Sequence, residues 1–323
     1  MRTEILTTVG QIQKIEDAWL RLLESYPLGF FNGPVYYNLA HYRRGFVYKV
    51  KYPLYFIVVL DEKDGVCGIL PTCRRRFSSK LLFLNGEASE IIAEPERREE
   101  VLSELENCIK ARRLWIHSDF IHEGSLLQEL YRRFGWEMEA WNTSYYADLS
   151  GGHEAYVRTH DGRTAKKLAA EEKKVDGLGR CELELCVRAD VFEKAFDDFL
   201  KLHLKRWGKE AKSLGDPSTA RFMRKFARYF MQRDRLFLSF LKIDDARVSA
   251  YFGIIDRSAV YYLSSGREPV YDSYGLGKIH LMKIFRWCCE HNVRLFSFLS
   301  GVNTLKDKFA THSVAIYRNK LRQ

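Results

Sequence analysis

The chain has 323 residues, 46% of them hydrophobic and 14% aromatic, and a formal net charge of +10. That composition buries substantial cores and excludes global disorder, and the length allows two domains of ordinary size. The positive excess favours anionic partners, whether a nucleotide cofactor, an anionic glycan or lipid surface, or RNA, without choosing among them.

Met1 to Glu4 opens into an ordinary mixed segment with no signal-peptide pattern. The longest apolar runs, such as Tyr52 to Leu60, fall well short of the roughly 20 residues needed to span a bilayer. The expectation is a cytoplasmic protein that can still touch a membrane surface. Ile12 to Ser25 has helical periodicity, with Ile12, Ile15, Trp19, Leu22 and Leu23 on one side. Phe30-Phe31-Asn32-Gly33-Pro34 interrupts it, and Val35 to Arg43 reads as helix again. Tyr55–Leu60 and Val66–Arg74 read as strands around a turn, and Leu81–Leu84 as a third. Glu96–Arg112 is a charged amphipathic helix, Leu114–His117 a strand and Ser125–Phe134 a helix. Trp136–Leu149 alternates as strand. Gly151-Gly152 and the composition shift around them place a domain boundary near residue 150, giving domains 1–150 and 151–323.

The second half opens with a basic helix, Glu154 to Val175, ended by Gly177-Leu178-Gly179. Cys181–Val187 alternates as a strand, and two long amphipathic helices follow, Val191–Arg206 and Ser218–Gln232. Leu236–Ile243, Val248–Asp256 and Val260–Ser265 form a strand meander. Gly277–Glu290 is a helix, Leu295–Leu299 a strand, Leu305–Phe309 a short helix and Ser313–Arg318 a last strand. This order implies a mixed, mostly antiparallel α/β sheet flanked by helices. Both halves repeat it loosely, as a tandem duplication would. The seven cysteines form no CxxC pair, and no histidine set has metal-ligand spacing, so no metal is expected.

The strongest local signal is the strand carrying Tyr261, Tyr262, Ser264 and Ser265, followed by Tyr274-Gly275-Leu276-Gly277-Lys278 at a helix start. Such a turn offers backbone N–H groups and the positive end of a helix dipole to a phosphate. A plain glycine turn is the alternative. His203, Arg206 and Trp207 share one helix and suit a sugar or nucleotide, or else pack that helix on a sheet. Arg221, Arg224, Lys225 and Arg228 form a basic stripe, either a solvated face or an RNA or lipid surface.

Taken in order, these segments resemble the GNAT (GCN5-related N-acetyltransferase) superfamily. They are closer still to its acyltransferase-like branch found beside bacterial cellulose and exopolysaccharide biosynthesis genes, related to the Fem peptidoglycan transferases. The residues that carry the resemblance are Leu202-His203-x-x-Arg206-Trp207, Tyr261-Tyr262 through Gly266, Gly275 to Lys278, Phe296-Ser297-Phe298-x-x-Gly301 and Leu305-Lys306-x-x-Phe309. Weaker signposts in the first half are Phe30 to Pro34, Gly68 to Pro71 and Leu82 to Gly86. The chain departs at Asp272, where a basic or amide residue is usual, at Ser297 for Asp, and at Leu305 for Tyr. The resemblance implies tandem GNAT-like domains and an acyl-CoA-dependent N- or O-acyltransferase with a sugar-linked or exopolysaccharide precursor as its glycan or small-molecule acceptor. Ser264, Ser265 and Tyr274 to Lys278 then hold acyl-CoA between two splayed strands. Tyr262, otherwise a core aromatic, protonates the leaving thiolate. Lys306, otherwise a solvated helix lysine, serves the acceptor or the tetrahedral intermediate. His203, Arg206 and Trp207 contact the acceptor. The second donor class is aminoacyl-tRNA, as in Fem-type relatives, and the third reading is a degenerate binding protein. The first half lacks a Gly-x-Gly before a helix and is expected not to bind donor.

Overall fold

A computed structural model describes residues 1–26, 29–34, 46–83, 87–186, 188–208, 214–301 and 304–320. The Val35–Arg43 helix, the Leu84-to-Gly86 signpost and Val187 lie outside them. The chain forms two compact units, Met1–Thr143 with Val314–Gln323, and Ser144–Ser313. It passes from the first to the second ahead of the Asp148-to-Gly152 turn, and residues from Val314 onward return to the first.

The first unit runs β1 (Arg2–Leu6), α1 (Val9–Lys14), α2 (Glu16–Leu23), α3 (Phe46–Lys51), β2 (Leu54–Leu60), β3 (Val66–Arg74), β4 (Lys80–Leu82), β5 (Ile92–Ala93), α4 (Arg98–Ala111), β6 (Trp115–His117), β7 (Ile121–His122) and α5 (Leu126–Arg133). Its sheet has the order β1-β2-β3-β4-β6, with β5 beside β3. β2 is apolar throughout because both its faces are covered. Phe56, Val58 and Leu60 pack with Ile12, Trp19 and Leu22, whereas Ile57 and Val59 pack with Val101, Leu105 and Ile109 of α4. β4 and β6 are parallel over Lys80↔Trp115, Leu81↔Ile116 and Leu82↔His117, with α4 in the crossover.

β8 (Met138–Asp148) leads into the second unit. There follow α6 (His153–Arg158), α7 (Gly162–Asp176), β9 (Cys181–Leu185), α8 (Phe192–Trp207), α9 (Pro217–Met231), β10 (Leu236–Ile243), β11 (Ala246–Asp256), β12 (Ala259–Arg267), α10 (Leu276–Glu290), β13 (Leu295–Ser300), α11 (Thr304–Phe309) and β14 (His312–Asn319). β9 to β12 form an antiparallel meander, β12 and β13 are parallel, and β13 is antiparallel to β8. Alternate side chains serve opposite faces. Phe252 meets Phe196 and Phe199 of α8, at 5.8 and 5.2 Å between ring centroids. Its neighbour Tyr251 turns to His280 of α10, at 4.9 Å. Both units therefore follow one plan: a strand, helices, three antiparallel strands, a crossover helix and a parallel strand. This is a tandem GNAT-like architecture.

The single helix expected over Glu154–Val175 is two helices. Thr159 to Asp161 separate them, and the Asp161 side chain accepts from Thr164 N at 2.7 Å. A carboxylate that satisfies an amide at a helix start favours a new start over continuation. β1 was not anticipated; it is short, with one buried residue, and draws its register from β2. Among the described residues no helix is long and apolar enough to cross a membrane, and no group of three His, Cys, Asp or Glu side chains could hold a metal ion.

Candidate functional site

β12 and β13 pair over three residues, Ala259↔Leu295, Val260↔Phe296 and Tyr261↔Ser297, and the register stops there. Beyond that point each strand stays with its other neighbour, β12 with β11 and β13 with β8. Both carry a bulge where they part, near Leu263 in β12 and near Phe298 in β13. A bulge adds twist and turns a strand away from its partner. Leu299 adopts a φ of +57°, rare for a branched apolar side chain, and Gly301 a φ of +95°. The strands therefore open a wedge inside the second unit.

The wall of the wedge on β12 is organised around Ser265. Tyr262 Oη lies 2.7 Å from Ser265 Oγ, and the Arg206 guanidinium donates to the same hydroxyl. The Ser265 carbonyl accepts from His203 Nδ1 at 3.0 Å and from Trp207 Nε1 at 3.2 Å. Ser264 Oγ is 3.1 Å from His203 Nδ1. His203, Arg206 and Trp207 of α8 and Tyr262 of β12 thus meet at Ser265, and Ser264 joins them through His203. Gly266 allows this, because a Cβ there would lie 2.2 Å from the His203 backbone nitrogen. His203 is only 6% exposed. Burial pushes its imidazole below the ordinary range; the Ser265 carbonyl opposes this and Arg206 reinforces it. The ring is neutral with its proton on Nδ1, and Nε2 is buried without a partner among the described residues. Arg206 lies over the Trp207 ring at 4.4 Å.

The glycine turn is reached through a 3₁₀ turn, Pro269–Tyr274, and not directly from the strand. Gly275 has a φ of +69° and caps α10, a geometry that suits glycine. The first amides of α10, at Leu276 and Gly277, have no intrahelical acceptor. A Cβ on Gly277 would meet nothing within 4 Å, so this side of the turn is open. Asp272 pairs with Arg267. Lys278 Nζ is held 2.5 Å from Glu171 Oε1 of α7. A Cβ on Gly275 would lie 3.0 Å from Glu171 Oε2, which is buried without a hydrogen-bond partner among the described residues.

Under this turn, Tyr251 Oη donates to the Gly277 carbonyl at 3.0 Å. His280 is fully buried between two serines, with Nδ1 2.9 Å from Ser249 Oγ and Nε2 3.2 Å from Ser239 Oγ. Burial lowers its pKa to about 3, so it is a neutral link in the core. On the opposite wall, Lys306 is 7% exposed. Its ammonium donates to the Leu299 carbonyl at 3.4 Å and to the Ser300 carbonyl. It is therefore no solvated helix lysine, and it fastens the displaced end of β13. Lys308, two residues on, is exposed. Ser297 is buried; its hydroxyl accepts from Leu299 N at 3.3 Å and bonds with Tyr146. The roles of Ser265 as a hub and of Glu171 were not read from the sequence. Both depend on contacts between residues distant in the chain, and no local pattern marks them.

The sequence model for the acetyltransferase (GNAT) domain family matches residues 162–307. Among solved structures, FemX superposes with a TM-score of 0.62, covering 98% of this chain and 96% of that one at 10% identity. L-PGS from Bacillus licheniformis gives 0.55 over 82% and 83% at 11% identity. A tandem GNAT protein from the clavulanic acid biosynthesis pathway gives 0.50 over 99% and 98% at 11% identity. At these identities the likeness is one of fold. No curated protein sequence matches the chain. Residues 162–307 thus match the GNAT acetyltransferase domain model, and the chain as a whole shares the fold of FemX and of the tandem GNAT protein.

Proposed function

We propose that the protein is an acyl-CoA-dependent N- or O-acyltransferase whose acceptor is a sugar-linked precursor of an exopolysaccharide or of the cell envelope. The observation that carries this reading is the parting of β12 from β13 after Tyr261 and Ser297, beside an open glycine turn that caps α10. The second unit, Ser144–Ser313, is the transferase. The first, lacking such a turn before α4, is its degenerate counterpart and holds no donor.

In this reading the Leu276 and Gly277 amides receive the donor pyrophosphate, with Tyr274, Gly275 and Lys278 around it. The thioester lies in the wedge against Ser264 and Ser265. The acceptor nitrogen or oxygen attacks the carbonyl carbon, the C–S bond breaks, and the thiolate takes a proton. Tyr262 is placed to give that proton, and the proton released by the acceptor nitrogen or oxygen passes through solvent to restore the phenol. Ser265 Oγ lies between Tyr262 and Arg206, so the guanidinium stabilises negative charge left on the phenol. Lys306 fixes the carbonyls of Leu299 and Ser300 at the acceptor's side of the wedge. Trp207 and Arg206 offer a ring face and a cation to a sugar-linked anion; His203 holds them to the strand.

Calorimetric titration of the folded protein with acetyl-CoA and longer acyl-CoAs tests this directly. Saturable binding of at least one is expected; binding of none overturns it. A second donor class, aminoacyl-tRNA, is favoured by Glu171, which already occupies the cation of the glycine turn. Against it, Arg224 and Arg228 of the basic stripe are engaged by Glu193 and Asp197 of α8. Tight, salt-sensitive tRNA binding in place of acyl-CoA binding would select it.

A further inference from the structure

In the first unit, β3 and β4 are joined through Arg74-Arg75-Arg76-Phe77-Ser78-Ser79-Lys80, a stretch without an acid. The turn is held by its own backbone. Arg75 N donates to the Lys80 carbonyl at 2.9 Å, Ser78 N to the Arg75 carbonyl at 3.1 Å, and Arg74 Nε to the Ser78 carbonyl at 2.8 Å. Two other segments are tied to it. Arg76 N donates to the Lys51 carbonyl at 2.8 Å, and Trp115 N to the Ser79 carbonyl at 3.0 Å. Lys51, Arg75, Arg76 and Lys80 are thereby gathered at one tip.

None of these four cations has a carboxylate within ion-pair distance among the described residues. Burial, and then the nearby Arg75, push the Lys80 ammonium down, with Asp119 pulling the other way. In the second unit, by contrast, Arg224, Arg228 and Arg247 each sit on carboxylates. At the apex stands Phe77, 95% exposed and with a φ of +57°. A phenylalanine there exposes a large apolar surface in a backbone conformation that glycine or asparagine adopts more easily. Its ring touches no core cluster; the Arg76 guanidinium lies 5.0 Å from its centre.

We propose that this tip is a docking surface for an anionic phospholipid bilayer. Phe77 enters the boundary between headgroups and acyl chains, and Lys51, Arg75, Arg76 and Lys80 rest on the phosphates around it. Single-stranded RNA fits less well, because successive bases need several open ring faces. Here one ring stands clear, and the Trp115 face is taken by Lys80 at 4.9 Å. The surface is independent of the donor site and of its reading.

The test is co-sedimentation of the full chain with vesicles of equal parts phosphatidylglycerol and phosphatidylcholine, compared with phosphatidylcholine alone. Association with the anionic vesicles only is expected, weakening with added salt. The double substitution Arg75→Ser with Arg76→Ser should weaken it on the order of tenfold or more, and Phe77→Ser should weaken it at unchanged charge. A second variant, Phe77→Trp, reads insertion itself: its added emission should shift to the blue with anionic vesicles and not with neutral ones. No association, equal association with both vesicles, association that survives the arginine substitutions, or an unshifted Phe77→Trp would each overturn the proposal. So would tRNA binding through the same arginines without vesicle binding.

Discussion

Lys278 stands in the first turn of α10 with its counter-ion already in place. A lysine there opposes the helix dipole, and the Glu171 carboxylate at 2.5 Å relieves that cost. A donor phosphate and Glu171 would then compete for one ammonium and one small space beside Gly275. Replacing Glu171 by Gln should therefore tighten acyl-CoA binding by roughly three- to tenfold, the scale of one charge-assisted hydrogen bond. Lys278→Ala should weaken it. The check is the dissociation constant by calorimetry; an equal loss in both variants would mean that Glu171 orients Lys278 and does not compete. The glycine turn itself was legible, because Gly-x-Gly before an apolar helical run has a local cause. Glu171 was not, since it lies on α7, far earlier in the chain. For Lys306 the solvated alternative fails, because the side chain is 7% exposed and bonded to backbone carbonyls. Its fastening to Leu299 and Ser300 depends on a left-handed leucine that no sequence pattern announces.

At the scale of elements, two glycines in the second unit do different work. Gly266 lets α8 lie directly on β12, and a methyl group there would overlap the His203 backbone. Gly266→Ala should cost about 1–3 kcal/mol of stability from forced displacement and disturb the contacts that meet at Ser265. Gly277 faces open space in a helical first turn. Gly277→Ala should leave stability unchanged or raise it by up to about 1 kcal/mol through helix propensity, yet weaken donor binding by covering an amide. Thermal melting and acyl-CoA titration of both variants separate packing from recognition; full-strength binding by Gly277→Ala would remove the turn from the donor site. The strands and most helices were readable from period-2 and period-3.6 patterns because tertiary packing agrees with them. The break between α6 and α7 had a readable signal in Asp161 and Thr164, a cap outweighed by the long basic run. β1 had none, as its pairing with β2 supplies what its short sequence lacks.

For the whole molecule, the buried histidines set the response to acid. The folded-state pKa of His280 is about 3 against an ordinary 6.5, and those of His203 and His122 are also lowered by burial. Below the ordinary value the unfolded chain binds protons that the folded chain refuses. Stability is thus complete above about pH 6.5 and falls as pH drops toward the folded values. Glu90, pushed up to about 7 by burial while accepting from the Ile91 and Leu127 amides, acts in the opposite sense over part of that range. A net loss of melting temperature from pH about 7 to about 5 is expected. It should be steeper in Glu90→Gln and shallower in His280→Leu, whose overall stability falls because the hydroxyls of Ser239 and Ser249 lose their partner. A flat profile in the wild type would show that these side chains are not buried as described. The tandem order of the chain was visible in its sequence. The return of the residues from Val314 to the first unit was not, because a carboxy-terminal strand carries no mark of the sheet it joins.

A crystal structure of the protein grown with acetyl-CoA would show whether the wedge between β12 and β13 receives an acyl-CoA. The pyrophosphate is expected on the amides of Leu276 and Gly277, the thioester carbonyl between Ser265 and Leu299, and the sulfur within reach of the Tyr262 hydroxyl. Donor density in the first unit alone, or an empty wedge at a saturating concentration, would contradict that placement.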